Sequence, residues 1–218
     1  MSRKKTESDR ASSAKPNNFA QAVAALKRGD VIVFPTETLY GLGADGLNHF
    51  AIEKVVALKG RESEKPILLL VANQKMLLTV VREIPPYGRK LMKKFWPGPL
   101  TLVLPARRDI PKTLISATGG VGVRISSQAI ATQLVRGLGR PLTATSANPS
   151  GKEAARTLHE ARKYFRSRVT VYVDGGVLTS KTASTVVEVK GKSITIVREG
   201  EIRASEIERI LKEKERTP

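Results

Sequence analysis

Hydrophobic residues recur along this chain with two periods that alternate through most of its length. Spacings of three and four residues predict amphipathic helices, whereas short runs of β-branched and aromatic residues predict strands. The helical pattern covers residues 19–28, 48–58, 73–81, 87–95, 128–138, 156–165 and 204–214. The strand pattern covers residues 31–34, 67–71, 100–104, 121–125, 169–173, 184–189 and 193–198, and a further strand begins near residue 141. Because strands and helices interleave, we predict an α/β fold.

The two ends of the chain refine this prediction. The strands at 184–189 and 193–198 are joined through Lys190, Gly191 and Lys192, which is typical of a hairpin, so the sheet is predicted to be twisted and mixed, with flanking helices. Residues 1–18 are polar and lack the apolar core of a secretory signal. We therefore predict a disordered basic tail at 1–18 and one folded domain at 19–218.

The first strand ends in a group of polar residues. Pro35 has no amide hydrogen and stops the strand, which leaves Thr36, Glu37 and Thr38 at its carboxyl end. Ligands of open α/β sheets bind at such strand ends. The helix that follows, capped by Asn48, delivers the segment Lys59-Gly60-Arg61 to its own C-terminus. Cations beside hydroxyl groups predict a pocket for an anion, most simply a phosphate.

Two nucleotide-binding motifs can be excluded. The string from Gly41 to Gly46 matches G-x-G-x-x-G, but six residues separate it from Phe34, whereas the dinucleotide fingerprint turns directly after its strand. We interpret these glycines as points where the backbone bends tightly. A phosphate-binding G-x-x-x-x-G-K-[ST] loop does not occur in the sequence.

Arginines and serines near element ends form a second group of candidates. Arg61, Arg124 and Arg198 each follow a predicted helix or strand, and each taken alone is more typical of a surface charge or a salt-bridge partner than of a ligand contact. Ser146 starts a segment that suits either a turn or a phosphate contact. Ser184 begins a strand after the glycine-rich segment Asp174-Gly175-Gly176. In an α/β fold, side chains at element ends of this kind converge on one site.

Composition narrows the function classes. The chain of 218 residues carries 38 Lys and Arg against 20 Asp and Glu, a net charge of +18, which suits a polyanionic partner or a solubilising surface. Few aromatic residues argue against a base-stacking platform, so any RNA is expected to be held by its phosphates. No cysteine is present, which excludes thiolate chemistry and suits a cytoplasmic location. His49 and His159 are isolated, so neither a zinc site nor a Ser/His/Asp triad is expected.

Several motifs occur here in one order: PTETLYGLG, KGRESEKP, WPGPLTLV, VGVRI, TSANPSG, DGG, and STVVE followed by IVREG. Together they resemble the YrdC-like family of L-threonylcarbamoyladenylate synthases in its short, single-domain form. The resemblance implies a twisted α/β sheet that encloses a basic cavity. It also implies a nucleotidyltransferase that makes threonylcarbamoyl-AMP and pyrophosphate from L-threonine, bicarbonate or CO2, and ATP. Its product serves the formation of N6-threonylcarbamoyladenosine at position 37 of tRNA by transferase proteins.

The resemblance assigns roles residue by residue. The expected L-threonine contacts are Thr38, Arg124, the backbone of Ala144, and Ser184. The expected catalytic residues are Lys59 and Arg61, and the expected ATP contacts are Arg61, Lys65, Gly120, Ser146 and Arg198. Mg²⁺ is expected to arrive with ATP rather than at a dedicated protein site. Many relatives have histidine at Leu70 and serine at Ala154, so those two contacts are expected to be missing or replaced.

Two alternatives remain open at this stage. A non-catalytic RNA-binding protein could use the same basic cavity for an RNA backbone, and the high net charge is compatible with it. A carbamoyl-transfer relative with another acceptor is a further possibility, although Thr38, Arg124 and Ser184 favour an amino acid. No apolar segment approaches the roughly 20 residues that a membrane helix needs.

Overall fold

The computed structural model describes residues 18–60, 66–180 and 182–213 of the chain, so the predicted tail at 1–17 lies outside the described residues. The helices are α1 Phe19–Lys27, α2 His49–Lys59, α3 Gln74–Leu77, α4 Pro86–Phe95, α5 Ala129–Leu138, α6 Leu158–Phe165 and α7 Ala204–Lys212. The strands are β1 Ile32–Pro35, β2 Tyr40–Gly43, β3 Leu69–Leu70, β4 Leu100–Pro105, β5 Gly120–Arg124, β6 Leu142–Thr143, β7 Thr145–Ser146, β8 Val171–Tyr172, β9 Thr185–Lys190 and β10 Ser193–Arg198.

The strands form two sheets with the orders β7-β2-β1-β8 and β10-β9-β4-β5-β3-β6. Three pairs, β1 with β8, β3 with β5 and β4 with β9, are parallel, and the other pairs are antiparallel. The predicted mixed α/β fold and the β9–β10 hairpin are confirmed. The division into two sheets was not predicted.

A short segment joins the two sheets. β6 and β7 follow each other across Ala144 but pair in different sheets, which is why the pattern around residue 141 resembles one strand. The Ala144 amide donates to the Leu68 carbonyl at 2.8 Å. The buried Thr143 Oγ1 accepts from the Ala44 amide at 2.8 Å and donates to the Leu42 carbonyl at 3.2 Å. These bonds fix the position of one sheet against the other.

The hairpin of β1 and β2 corrects the interpretation of the glycines. Gly41 and Gly43 lie within β2, with all four of its residues buried, rather than in a bend. A Cβ at Gly43 would lie 2.8 Å from the Phe34 ring, and one at Gly41 would lie 3.3 Å from it. These glycines are therefore needed because an aromatic ring packs directly on the strand.

The core lies on both sides of the sheets, in two hydrophobic clusters. Alternate residues of the larger sheet, such as Leu102, Leu104 and Val123, belong to the larger cluster, and α1 and α5 contribute to the smaller one. Thr101 and Arg124 have the opposite parity and lie on the other face of that sheet. That face carries most of the candidate site.

Local signals explain where most helices begin and end. Asn48 accepts from the Ala51 amide to cap α2, and Gly60 ends the helix in the left-handed region with φ of 64°. The predicted helix at 73–81 is wrong beyond Leu77, because Val81 leaves the helical path to bridge Ala106 at the end of β4. Within the described residues, no helix is long and apolar enough to cross a membrane.

Candidate functional site

The turn between β1 and β2 is held by its own hydroxyl groups. Thr36 Oγ1 donates to the Leu39 carbonyl at 2.7 Å and accepts from the amides of Thr38 and Leu39, each at 3.2 Å. It also lies 3.1 Å from Thr38 Oγ1. Both threonines are buried. The turn thereby fixes the Thr38 hydroxyl and directs the intervening Glu37 side chain toward the larger sheet.

Glu37 meets Arg124 at the carboxyl end of β5. Glu37 Oε1 lies 3.2 Å from Arg124 Nη1, and the exposed fractions of the two side chains are 14% and 6%. The geometry is that of an ion pair without a hydrogen bond, and both atoms are buried without a hydrogen-bond partner among the described residues. The other Glu37 oxygen accepts from the Ser126 hydroxyl, which itself accepts from the Gln128 amide at 3.1 Å.

A second arginine approaches from β10. Arg198 Nη2 donates to the Ser184 carbonyl at 2.8 Å, and Ser184 Oγ lies 3.0 Å from Thr101 Oγ1. Burial lowers the pKa of Arg198, and the positive charge of Arg124 lowers it further. Burial also lowers the pKa of Arg124, and Glu37 only partly opposes that effect. We refer to Glu37, Arg124, Ser184 and Arg198 as the arginine cluster, in which the buried Arg124 faces one carboxylate and the more exposed Arg198 adds a second positive charge.

Hydrogen bonds of Thr185, the first residue of β9, hold the segment around Ser184 against the segment that follows β10. Thr185 Oγ1 donates to the Ile202 carbonyl at 2.6 Å and accepts from the amides of Gly200 and Ile202, each at 2.9 Å. A Cβ at Gly200 would lie 2.1 Å from the Ala183 carbonyl oxygen, so only glycine allows the two segments to cross here. This crossing sets the position of Ser184 relative to Arg198.

Lys59 forms a second group at the end of α2. Its Nζ donates to the Ser146 carbonyl at 2.8 Å and lies 3.4 Å from Ser146 Oγ and 3.3 Å from Asn148 Oδ1. The Asn148 amide group in turn donates to the carbonyls of Pro149 and Lys152. We refer to Lys59, Ser146 and Asn148 as the lysine clasp. It ties α2 to the segment after β7, whose Ser146 pairs with Gly41.

Tyr40 connects the hairpin to the segment Asp174-Gly175-Gly176. The Tyr40 hydroxyl accepts from the Gly175 amide at 2.9 Å and donates to the Gly176 carbonyl at 2.8 Å. A Cβ at Gly175 would lie 2.4 Å from the Pro35 ring. Burial raises the pKa of Tyr40, and the nearby Asp174 adds to the effect. This segment therefore packs on the end of β1 directly before the Thr36–Thr38 turn.

The structure brings several of the predicted site residues into these groups. Arg124, Ser184 and Arg198 belong to the arginine cluster, and Lys59 and Ser146 meet in the lysine clasp. Thr38 follows Glu37 in the turn, and its hydroxyl lies beside that of Thr36. Ala144 lies between β6 and β7, where the two sheets are joined.

Gly120 lies elsewhere. It begins β5, four residues before Arg124 and on the same face of the sheet, about 13 Å away. A cavity of about 380 Å³ opens at this end of the sheet, and its lining includes Gly120, Glu188 and Lys190. A ligand that contacted both Gly120 and Arg124 would have to extend along β5, as a nucleotide can.

Arg61 and Lys65 lie outside the described residues, so their predicted roles stay predictions. The expected basic cavity, of which both would be part, also stays a prediction. Leu70, where many relatives have histidine, is buried with an exposed fraction of 1% and pairs with Arg124 across β3 and β5. An apolar side chain therefore stands beside the guanidinium at that position.

Three residues in or beside the arginine cluster were not predicted as site residues from the sequence. Glu37 was noted at the strand end without a role, and Ser126 and Thr101 were not considered as site residues. The alternation of β4 could have suggested Thr101, since it is the single polar residue within LTLVLP. No local pattern indicates that Glu37 pairs with Arg124, because the contact is between distant segments.

Metal-binding chemistry is limited in the part of the chain that the structure describes. No group of three or more His, Cys, Asp or Glu side chains there could hold a metal ion. The donors that the site presents are guanidinium, ammonium, hydroxyl and amide groups, and these suit anionic and polar ligands.

Comparison with known proteins adds independent findings. The Sua5/YciO/YrdC family model, described as "Telomere recombination", matches residues 24–200. The chain is 34% identical over 192 residues to the threonylcarbamoyl-AMP synthase of Pyrococcus abyssi, which covers 88% of this chain and 56% of the relative. It is 41% identical over 165 residues to the threonylcarbamoyl-AMP synthase of Thiobacillus denitrificans, which covers 76% of this chain and 87% of the relative.

Solved structures show the same similarity. The crystal structure of P. abyssi Sua5 complexed with L-threonine matches with a TM-score of 0.84 at 34% identity, over 88% of this chain and 56% of that one. The crystal structure of Escherichia coli YciO matches with a TM-score of 0.78 at 26% identity, over 87% of this chain and 92% of that one. The chain thus spans a little over half the length of the P. abyssi relative.

Proposed function

The chain belongs to the Sua5/YciO/YrdC family, and we propose that it is an L-threonylcarbamoyladenylate synthase. The observation that carries the proposal is the arginine cluster. A buried guanidinium that donates no hydrogen bond to a described residue stands 3.2 Å from a carboxylate and within reach of buried hydroxyls. Such a site suits a small ligand with a carboxylate of its own. The threonine-bound Sua5 structure and the names of the relatives support threonine as that ligand.

The proposed substrate contacts follow the two groups of the site. Arg124 binds the threonine carboxylate, Thr38 and Ser184 contribute hydroxyl groups, and Ala144 contributes its backbone. On the nucleotide side, Lys59, Arg61 and Lys65 surround the phosphates. Further ATP contacts come from Ser146, Arg198 and the backbone near Gly120.

The proposed reaction needs no protein nucleophile. The amino group of L-threonine, after loss of its ammonium proton to solvent, adds CO2 with loss of a second proton, or takes its carboxyl group from bicarbonate with loss of water, and so forms a carbamate. A carbamate oxygen then attacks the α-phosphorus of ATP. The bond from that phosphorus to the bridging oxygen breaks, and pyrophosphate leaves. The protein's contribution is to place the two reactants in line and to neutralise charge on the transferring group, with Lys59 and Arg61 in the catalytic positions.

Mg²⁺ belongs with the substrate in this proposal. When bound, the ion would neutralise phosphate charge, and the nucleotide phosphates and water suit its preference for oxygen ligands. The side chains named here supply cations and hydroxyl groups around those phosphates rather than carboxylate ligands.

The proposed role places the enzyme before tRNA modification. The product would be consumed by tRNA-threonylcarbamoyl transferase proteins that form N6-threonylcarbamoyladenosine at position 37 of tRNA.

The net charge of +18 favours a second candidate, a protein that binds RNA through its phosphates. The two candidates differ in salt dependence, because RNA affinity falls steeply with salt whereas capture of zwitterionic threonine does not.

The experiment that tests the proposal is a reconstituted reaction. Purified protein is incubated with ATP, Mg²⁺, bicarbonate and L-threonine, pyrophosphate is measured, and threonylcarbamoyl-AMP is identified by mass. Product that requires both threonine and bicarbonate is the expected result. Folded protein that yields no product and binds RNA would contradict the synthase and support the second candidate.

Arg124→Ala provides the matched variant. Loss of charge-assisted hydrogen bonds should cost about 1.5–3 kcal/mol of ligand or transition-state binding, and we expect the same for Arg61→Ala. Wild-type turnover in a folded variant would refute that residue's role.

A further inference from the structure

Glu37 has no role in the substrate contacts assigned above, yet its carboxylate lies 3.2 Å from Arg124 of the proposed threonine site. Its side chain is 14% exposed, its Oε1 is buried without a hydrogen-bond donor, and Arg124 Nη1 is buried without an acceptor. Buried polar groups in folded proteins nearly always have hydrogen-bond partners. Glu37 Oε1 and Arg124 Nη1 form an ion pair 3.2 Å apart, and a ligand that brings one acceptor and one donor would give each atom the hydrogen bond it lacks.

The charges around the pair define that ligand further. Glu37 Oε2 is already occupied by the Ser126 hydroxyl, whereas Oε1 faces Arg124. Arg198 adds a second cation, close enough to Arg124 that the positive charge of Arg124, in addition to burial, lowers the pKa of Arg198. A carboxylate alone would satisfy Arg124 but would be placed against the negative charge of Glu37. A zwitterion with an ammonium group next to its carboxylate satisfies both atoms.

We propose that Glu37 binds the α-ammonium group of the amino acid substrate and thereby selects an α-amino acid over other carboxylic acids. The inference rests on the proposed function, because it concerns the same threonine site. In it, Arg124 and Glu37 form a paired receptor for the two charges of the amino acid head group. Charge-assisted hydrogen bonds of this kind are about twice as strong as neutral ones.

The geometry also suits the carbamoylated intermediate. The amino group leaves the ammonium state when it forms the carbamate, but its nitrogen keeps one N–H bond. That N–H can still donate to Glu37 Oε1, so the nitrogen stays fixed while the new carbamate group turns toward the nucleotide. Ser126 holds the other carboxylate oxygen and limits rotation of the Glu37 side chain.

The test compares L-threonine with 3-hydroxybutanoate, which has the same carbon skeleton, carboxylate and hydroxyl but no amino group. Binding of each ligand is measured by calorimetry to the wild-type protein and to Glu37→Gln, which keeps the side chain's volume and one acceptor oxygen. The wild type should bind threonine at least about 10-fold more tightly than 3-hydroxybutanoate, since a charge-assisted hydrogen bond contributes that much. In Glu37→Gln, threonine binding should fall about 10-fold while 3-hydroxybutanoate binding stays equal or improves.

Glu188→Gln is the matched control. Glu188 has a similar exposed fraction of 12%, its Oε1 also lacks a hydrogen-bond partner, and Lys190 Nζ lies 3.4 Å from it. It lies on β9 toward the Gly120 end of the sheet, so the control should bind both ligands as the wild type does. A similar loss in the control would show that the effect of Glu37→Gln is a general effect of removing a carboxylate, and would overturn the proposal.

Other results separate the proposal from its alternatives. If Glu37→Gln lowered the affinity for both ligands equally, Glu37 would only position Arg124. If it raised both affinities equally, Glu37 would only compete with the ligand carboxylate for Arg124. Either result overturns the inference and leaves the proposed function standing. Equal wild-type affinity for both ligands overturns it without any variant, which covers the case in which Glu37→Gln does not fold. A wild-type protein that binds neither ligand would overturn the threonine assignment itself.

Discussion

Arg124 of the arginine cluster and Lys59 of the lysine clasp are held in opposite ways. Lys59 donates to the Ser146 carbonyl at 2.8 Å and has further acceptors at 3.3 and 3.4 Å, so its charge is solvated by the protein itself. Arg124 is more deeply buried and donates no hydrogen bond to any residue within the described ranges. A buried charge without hydrogen bonds costs stability, so its presence indicates a function other than holding the fold.

The difference shows how to separate structural from ligand-binding cations in one site. A cation that already has its acceptors in the folded protein contributes to stability first, and must exchange those bonds if a phosphate binds. A buried cation without hydrogen-bond acceptors contributes to stability only by compensating its countercharge, here Glu37, and is available to a ligand at once. The comparison therefore predicts that stability depends on Arg124 only while Glu37 is charged, whereas Lys59 contributes through hydrogen bonds of its own.

The largest expected effect concerns the buried ion pair. Arg124→Met leaves Glu37 without a countercharge, so we expect the free energy of unfolding to fall by about 3 kcal/mol. In the double variant Arg124→Met, Glu37→Gln, an apolar side chain faces a neutral amide, and stability should return to within about 1 kcal/mol of the wild type. Urea denaturation measures both. Equal stability of the single and double variants would show that Glu37 gains nothing from Arg124.

The second effect concerns the lysine clasp. Lys59→Met leaves the Ser146 carbonyl and Asn148 Oδ1 without this donor, and we expect a loss of about 2 kcal/mol in the free energy of unfolding. Lys54→Met is the matched control on the same helix. Lys54 Nζ also donates to a backbone carbonyl, that of Gly29 at 2.8 Å, but its side chain is 53% exposed, so the loss should stay below about 1 kcal/mol. Similar losses in both variants would contradict the structural role of the clasp.

The sequence predicted the fold well where local patterns decide the structure. The apolar face of α2, its Asn48 cap and its end at Gly60 follow from residues within one helix. The β9–β10 hairpin follows from a short turn. The division of residues 142–146 between two sheets depends on partners far away in the chain, and so no local pattern reveals it.

The candidate site was predicted in the same uneven way. Positions at strand and helix ends drew attention to Thr38, Lys59, Arg124 and Arg198, whose roles in a site stay predictions. Local patterns do not distinguish Lys59 from Arg124, because their difference lies in hydrogen bonds that only the folded chain forms. Glu37 was missed as a partner for the same reason.

The third effect tests the hairpin that both groups share. Thr38 and Glu37 lie in its turn, and Gly41 of β2 pairs with Ser146 of the clasp. Gly43→Ala would place a Cβ 2.8 Å from the Phe34 ring, and we expect a loss of about 1–2 kcal/mol from overpacking. Gly41→Ala, with 3.3 Å to the same ring, should lose less. If the clasp and the cluster are coupled through β2, Gly43→Ala should also weaken threonine binding, whereas unchanged binding would show that the groups are independent.

The smallest effect concerns the pH dependence of stability that Tyr40 causes, and whether the arginine cluster shares it. Burial raises the pKa of Tyr40, so the folded protein holds its phenolic proton more tightly than the unfolded chain does. This contribution to stability is complete below the unfolded pKa of about 10 and is lost as the pH rises through the higher folded pKa. Tyr40→Phe removes the bonds to Gly175 and Gly176, so we expect it to be about 1 kcal/mol less stable at neutral pH and to lose less stability between pH 9 and 11. Thermal unfolding across that range measures both quantities.

Threonine binding should respond to alkaline pH differently from stability. The arginine cluster keeps its charge, because arginine stays protonated, whereas the ammonium group of free threonine loses its proton in this range. Threonine binding should therefore decline equally in the wild type and in Tyr40→Phe. A further loss of threonine binding in the wild type, absent from Tyr40→Phe, would instead show that the segment Asp174-Gly175-Gly176 holds the threonine site in place through Tyr40.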